Sequence, residues 1–208
     1  FPPPYHLGMD ASPLPVVTLK IERRSQHPWV FQKMVERPAA RIPPGTVVEV
    51  RDRNGQYVGR GFYNGHSRIT LRMLTANPDE PVDAAFFAKK LAAAVAFRRD
   101  VLKLDAVTDA YRLVHSEADG LSGLVVDRFA DTLVLEFFSA GMFKQRDAVR
   151  AALGEHFPGS RFYWFAEEHV GKQESFDCRP PEPPPPDVIT EHGLRFRVAP
   201  GSKHKTGF

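Results

Sequence analysis

Residues 179–187, RPPEPPPPD, constrain the chain more than any other stretch, because six of the nine are proline. A proline ring fixes φ and removes an amide donor, so neither a helix nor an interior strand can run through the segment. Such a run favours extended polyproline II and acts as a semi-rigid spacer. The chain therefore divides into a long unit before residue 179, a linker, and a short piece over residues 188–208. A second proline-rich stretch, residues 1–17, shows no periodicity and reads as a flexible leader.

Between leader and spacer the hydrophobic pattern changes once. VVTLKIER (16–23) reads as a strand, and SQHPWVFQKMVER (25–37) as a short helical pattern carrying Trp29, Lys33 and Val35 and ended by Pro38. GTVVEVRDRNGQYVGRGFYN (45–64) is a hairpin signal about Asn54-Gly55, a pair suited to positive φ at both turn residues. Gly59 and Gly61 mark a bulge or a close backbone approach. SRITLRMLT (67–75) alternates Ile69, Leu71 and Met73 against Thr70, Arg72 and Leu74. These elements make a small β-barrel over residues 18–76.

After residue 77 helices enter. NPDEPVD (77–83) starts a helix that runs to about Leu104, with Phe87, Leu91, Val95 and Leu102 on one face. Strands over 110–117, 123–129 and 132–139 follow. A helix over 142–157 carries Met142, Val149, Leu153 and Phe157 on one stripe, and a last strand spans 160–167. That order is α+β. Residues 188–200 then form a hairpin about His192-Gly193.

Charge separates the same parts. Residues 1–76 hold 11 basic and 5 acidic residues, a net +6, whereas residues 77–186 are net −5. The positive part points to an anionic partner, nucleic acid first. Arg23, Arg24, His27, Trp29 and Lys33 form a basic, aromatic-interleaved cluster, joined by Arg51, Arg53, Arg60, Arg68 and Arg72 from neighbouring strands. Guanidinium forks suit phosphates, and aromatic rings stack on unpaired bases; Trp29 is also a candidate core anchor.

Other chemistry finds little support. No stretch approaches the roughly 20 apolar residues of a membrane span. The first residues lack the pattern of a secretory signal. One cysteine, Cys178, excludes an internal disulfide framework and fits a reducing cytoplasm, and the histidines lack metal-ligand spacing. Gly120 and Gly123 precede a strand, the wrong order for a dinucleotide loop. Adjacent His115 and Ser116 point to opposite sides of a strand, against a shared proton. Cys178 sits at the edge of the spacer, far from the fixed electropositive cleft a catalytic thiol needs.

Four segments carry a resemblance. RRSQHPWVFQKMVER, VVEVRDRNGQYVGRGFYN, YRLVHSEADGLSGLVVDRF and EHGLRFRVAPGSKHKTGF occur in that order. Together they resemble the bacterial 23S ribosomal RNA large-subunit methyltransferases that methylate cytosine C5. That family has a PUA domain, a small α+β middle domain and a Rossmann-like domain that binds S-adenosylmethionine. The resemblance implies a PUA-like RNA-binding barrel over 18–76, a middle domain over 77–178, and a hairpin over 188–208 leading into a catalytic domain. It also implies that Lys205, Thr206, Gly207 and Phe208 lie at the rim of the S-adenosylmethionine site. EEHVGKQESF (167–176) and the proline spacer depart from the family pattern.

Cytosine C5 chemistry needs a thiolate nucleophile. With no such group assigned, the expectation is an α+β chain from which the Rossmann-like methyltransferase domain is absent. It holds no catalytic residue or metal and is inactive alone. Its parent is a cytoplasmic rRNA-processing enzyme with ribosomal RNA as partner, no membrane, and a homodimer among the open oligomeric states. The alternative is a non-enzymatic PUA-type RNA-binding adaptor. A truncated enzyme would leave Ile189, Leu194 and Phe196 of the hairpin without partners.

Overall fold

The structure, a computed structural model, describes residues 13–23 and 25–200. Its first unit is a five-stranded sheet of β1 (Val16–Thr18), β2 (Trp29–Phe31), β3 (Thr46–Arg51), β4 (Tyr57–Tyr63) and β5 (Ile69–Thr75). The strand order is β1-β3-β4-β5-β2, with β1 parallel to β3 and the other pairs antiparallel. A bridge from Leu19 to Val35 joins the two outer strands and closes the sheet on itself. Val17, Leu19, Val30, Val48, Val50 and Leu71 fill the interior.

Several local expectations change here. Trp29 lies on a strand paired to β5, with only Gln32–Met34 forming a 3-10 turn. The Trp-Val-Phe triplet prefers a pleated surface, and cross-strand pairing decides against the helical pattern. In the β3–β4 turn only Gly55 takes positive φ, at 77°. The Asp52 carboxylate instead accepts from the amides of Asn54 and Gln56, and that side-chain turn replaces the two-residue hairpin. Gly59 and Gly61 hold a close approach: an added Cβ would lie 2.4 Å from the Thr75 carbonyl oxygen and 2.5 Å from that of Arg72.

The second unit begins with α1 (Ala84–Ala96), capped by the Asp83 carboxylate on the Phe86 amide. The helix widens into a π-helical turn over Phe97–Val101. That turn rotates the stripe, so Leu102, expected on the buried face, is exposed. A four-stranded sheet follows: β6 (Ala110–His115), β7 (Leu124–Phe129), β8 (Thr132–Phe137) and β9 (Arg161–Phe165) in sequential order. Two helices, α2 (Ala140–Lys144) and α3 (Arg146–His156), connect β8 to β9. Helix α4 (Glu168–Glu174) precedes the extended spacer, and β10 (Asp187–Glu191) pairs with β11 (Leu194–Val198).

The expected α+β class needs amendment, because β9 runs parallel to β8. The segment β8–α2–α3–β9 is thus a strand–helix–strand crossover of α/β type. Periodicity reveals the strands but not the direction in which they pair. The hairpin also differs from expectation. Ile189 is fully buried against Ala110, Phe129, Val134 and Tyr163, while Leu194 remains exposed.

The two units share one core. Phe62 and Leu74, on the outer face of the barrel, belong to the cluster built by Phe87, Leu91, Leu124, Leu135, Met142 and Leu153. The Phe62 and Phe87 rings stack at 6.4 Å. The outward side of β5, Thr70, Arg72 and Leu74, is consequently buried throughout, while Ile69 and Met73 at the alternate positions are only half-buried.

Candidate nucleic-acid interface

Where β2 and β5 meet the second sheet, the surface sinks into a cleft of about 800 Å³. Its floor is a charged clamp. Strand pairing sets Trp29 opposite Arg72, and the Arg72 guanidinium lies 5.5 Å from the Trp29 ring centroid. Trp29 Nε1–H donates to Glu117 Oε1 at 2.7 Å. Arg72 faces Glu117 Oε1 and Glu174 Oε1, each at 3.5 Å, and donates to the Phe138 carbonyl at 3.2 Å. Glu174 is buried and accepts from Ser67 Oγ at 2.5 Å and Asn64 Nδ2 at 3.2 Å. Barrel and second unit are therefore joined by a buried network of two carboxylates and one guanidinium as well as by apolar packing.

The loop carrying Glu117 is fixed in turn. Arg98 donates both terminal nitrogens to Asp119, at 2.5 and 2.9 Å, and Asp119 accepts the His115 amide. Ser116 Oγ accepts the Gly123 amide at 2.9 Å, which commits it to the loop. Burial pushes the Glu117 carboxyl up, but hydrogen bonds from Ser122, Ser116 and Trp29 outweigh it, and the net shift is downward. The carboxylate is held ionised beside Arg72.

The walls and rim have a different character. Phe31, Ile69, Phe138, Val125 and Val170 give apolar surface, while His66, Arg68, Arg112 and His115 stand at the edge. Arg112 is committed to Asp127 by bonds of 2.9 and 3.0 Å. Arg68 has no ion-pair partner among the described residues.

The ten residues expected to touch RNA are thus not one patch. Trp29, Arg68 and Arg72 line the cleft, with the His27 ring 5.2 Å from Trp29. Arg72 is buried and paired, so it is an internal clamp and not an exposed phosphate fork. Arg23 donates to the carbonyls of Ser25 and His27, and burial lowers its pKa; it organises the loop before β2. Arg51 pairs with Glu49, Arg53 with Glu22, and Arg60 donates to the Glu80 carbonyl. Lys33 is exposed on the 3-10 turn. Arg24 lies outside the described residues, as do Lys205, Thr206, Gly207 and Phe208. Gly120 and Gly123 pack on Lys90 and Ser139, so that loop is not shaped as a cofactor cradle.

Phe31, His66, His115, Glu117 and Glu174 were not among the expected interface residues. Glu174 belongs to the acidic stretch 167–176, whose departure from the family pattern was the one available signal. No helix among the described residues is long and apolar enough to cross a membrane, and those residues hold no cluster of metal-ligating side chains.

Comparisons with known proteins agree with this architecture. Residues 21–76 match a PUA-like domain. The ribosomal RNA large subunit methyltransferase I of Serratia proteamaculans is 36% identical over 188 residues, covering 88% of this chain and 47% of that protein. The protein of the same name from Photobacterium profundum is 37% identical over 191 residues, covering 89% and 48%. Among solved structures, SMU.776, described as a methyltransferase complexed with SAH, superimposes with a TM-score of 0.66 at 16% identity. It covers 90% of this chain and 48% of the other. A SAM-dependent methyltransferase from Streptococcus mutans gives 0.67 at 14% identity, covering 91% and 49%.

These matches overturn one expectation. The sequence reading set the chain apart as lacking the Rossmann-like methyltransferase domain. The fold of two methyltransferase structures runs through nine-tenths of this chain, so that description is withdrawn. The β8–β9 crossover shows where the α/β character went unread. The chain spans about half the length of the curated relatives it matches. Residues 21–76 are similar to a PUA-like domain, and nearly nine-tenths of the chain is similar to ribosomal RNA large subunit methyltransferases I.

Proposed function

We propose that this chain is the RNA-recognition portion of an S-adenosylmethionine-dependent rRNA methyltransferase acting at a cytosine C5 of 23S rRNA. The observation that carries the reading is the cleft: an aromatic-lined, basic-rimmed groove placed where a PUA-like barrel is clamped to a second unit. The similarity to rRNA methyltransferases supplies the reaction class. Residues 18–76 act as the RNA-binding module, 77–178 as the middle domain, 179–187 as spacer and 188–208 as a hairpin towards the cofactor. The bound cofactor would supply the methyl group, with Lys205, Thr206, Gly207 and Phe208 at its rim.

The described residues bind and orient. Lys33 and Arg68, both exposed, give the barrel its positive field, and the Trp29–Glu117–Arg72–Glu174 clamp sets the angle at which bound RNA is presented. Cys178 does not suit the nucleophile's role. Burial foremost pushes its thiol up to about 11, so little thiolate exists at neutral pH. No catalytic role is assigned to any described residue.

The chain by itself should bind 23S rRNA fragments with affinity that falls steeply with salt, since each phosphate contact releases counterions. It should transfer no label from methyl-labelled cofactor. Salt-independent or absent binding refutes the RNA reading; methyl transfer by the chain alone refutes the assignment of catalysis elsewhere.

A further inference from the structure

We propose that the cleft between β2, β5 and the Glu117 loop is a pocket for a single unpaired RNA nucleotide bearing an exocyclic amine. This deepens the RNA-recognition reading and rests on it. The lining offers three chemistries that match the parts of a nucleotide. At the floor, two carboxylates face one guanidinium, which leaves an excess negative charge. A phosphate is disfavoured there, whereas the N–H₂ edge of cytosine, adenine or guanine is a donor to such a site. The Glu117 side chain keeps 27% of its surface exposed, so its carboxylate is not sealed from the cleft.

Midway, the walls offer π-stacking surface. Phe31 is 40% exposed, large for an aromatic side chain, and stands edge-on to Trp29 at 6.5 Å. At the rim, exposed Arg68 is unpaired among the described residues, a positive edge suited to the nucleotide's phosphate, and the exposed His66 and His115 add ring nitrogens able to hydrogen-bond. A volume of about 800 Å³ is within the usual range for small-ligand sites. A basic peptide would meet the rim cations first, and an acidic one would meet the floor carboxylates. A nucleotide carries an amine, a ring face and a phosphate, one for each of these chemistries.

The test uses the 208-residue chain with fluorescently labelled hexamers of cytidine, adenosine and uridine, read by anisotropy. The two mouth variants are Phe31→Ala, which removes the exposed wall ring, and Arg68→Ala, which removes the rim charge; neither side chain bonds to Glu117, Arg72 or Glu174. Arg51→Ala serves as the distant comparison. Stacking on one ring contributes enough that Phe31→Ala should weaken cytidine and adenosine binding about tenfold. Arg68→Ala should lower the slope of log affinity against log salt by about one. Uridine should bind more weakly to the parent and lose less in Phe31→Ala. Arg51→Ala should leave the base preference unchanged. If the mouth variants bind as the parent does while Arg51→Ala weakens all three oligomers, RNA binds elsewhere and the nucleotide pocket is refuted alone. If no oligomer binds any variant or the parent, both the pocket and the RNA-recognition reading fall.

Discussion

Replacing a helical glycine by alanine usually stabilises a protein, and Gly141→Ala should do the reverse. Gly141 lies in the first turn of α2, behind the Ser139 cap. Alanine has the higher helix propensity, by up to about 1 kcal/mol in a helix interior and less in a short first turn. Against this, an added Cβ would sit 2.1 Å from Cγ and 2.5 Å from Cδ1 of Phe62. Phe62 cannot swing aside freely, because its ring stacks on Phe87 and both are buried in the shared core. Just before β3, Gly45 is also tight, with its own added Cβ 2.7 Å from the Ala140 carbonyl carbon. Relief therefore requires the barrel and α2 to separate. Overpacking of this kind costs about 1 to 3 kcal/mol, which exceeds the propensity gain.

The midpoint of thermal unfolding of the 208-residue chain should fall by roughly 2 to 10 °C. Gly154→Ala on α3 is the matched control: nothing lies within 4 Å of its added Cβ. There the propensity gain of about 0.5 to 1 kcal/mol stands alone, and the midpoint should rise by a few degrees. If Gly141→Ala also raises the midpoint, the close packing of barrel on α2 is wrong.

Three further outcomes follow from the same geometry. Glu174→Ala strips one carboxylate from buried Arg72 and leaves Ser67 Oγ without its acceptor, while Asn64 keeps the Glu174 backbone carbonyl at 2.7 Å. It should cost about 3 kcal/mol in denaturant unfolding, and Arg72→Met in that background should cost much less than Arg72→Met alone; additive losses would contradict the clamp. Burial, then the negative charges of Glu167 and Asp127, raise the Glu136 carboxyl to about 7 despite Arg112. A carboxyl raised in the folded state contributes stability that is full below the unfolded value of 4.5 and is lost as pH climbs through 7. Stability should therefore decline over that window, and Glu136→Gln should flatten the decline; an unchanged slope rules the assignment out. Finally, Cys178 should react slowly with thiol reagents at pH 7.5, given a thiol pushed to about 11. Rapid labelling would show that its burial is misassigned.

The sequence alone determined what depends on local chemistry. The alternation of Val48 and Val50 with Glu49 and Arg51 places a strand with one apolar face, and both valines are buried. The stripe of Met142, Val149, Leu153 and Phe157 is wholly buried, although the one helix expected there is two, with Met142 on α2, Val149 and Leu153 on α3 and Phe157 just past its end. The proline run over 179–187 is free of helix and strand until β10 begins at Asp187, and the His192-Gly193 turn has positive φ at both residues, as the pair allows. The basic excess of residues 1–76, from which an anionic partner is inferred, is a property of composition alone.

Only the tertiary structure decided which charges are surface and which are structural. Arg72 sits in an alternating strand like any solvated arginine, and Glu174 in an acidic stretch like any solvated face. Each is buried by a partner more than a hundred residues distant in sequence, at a separation no local pattern encodes. Trp29 likewise reads equally as core anchor or stacking platform. It becomes the wall of a cleft because Glu117, from a loop 88 residues later, accepts its indole N–H. Strand direction shows the same limit: period-two alternation is identical in parallel and antiparallel pairs, so β9 beside β8 could be placed only by the helices that carry the chain back across the sheet.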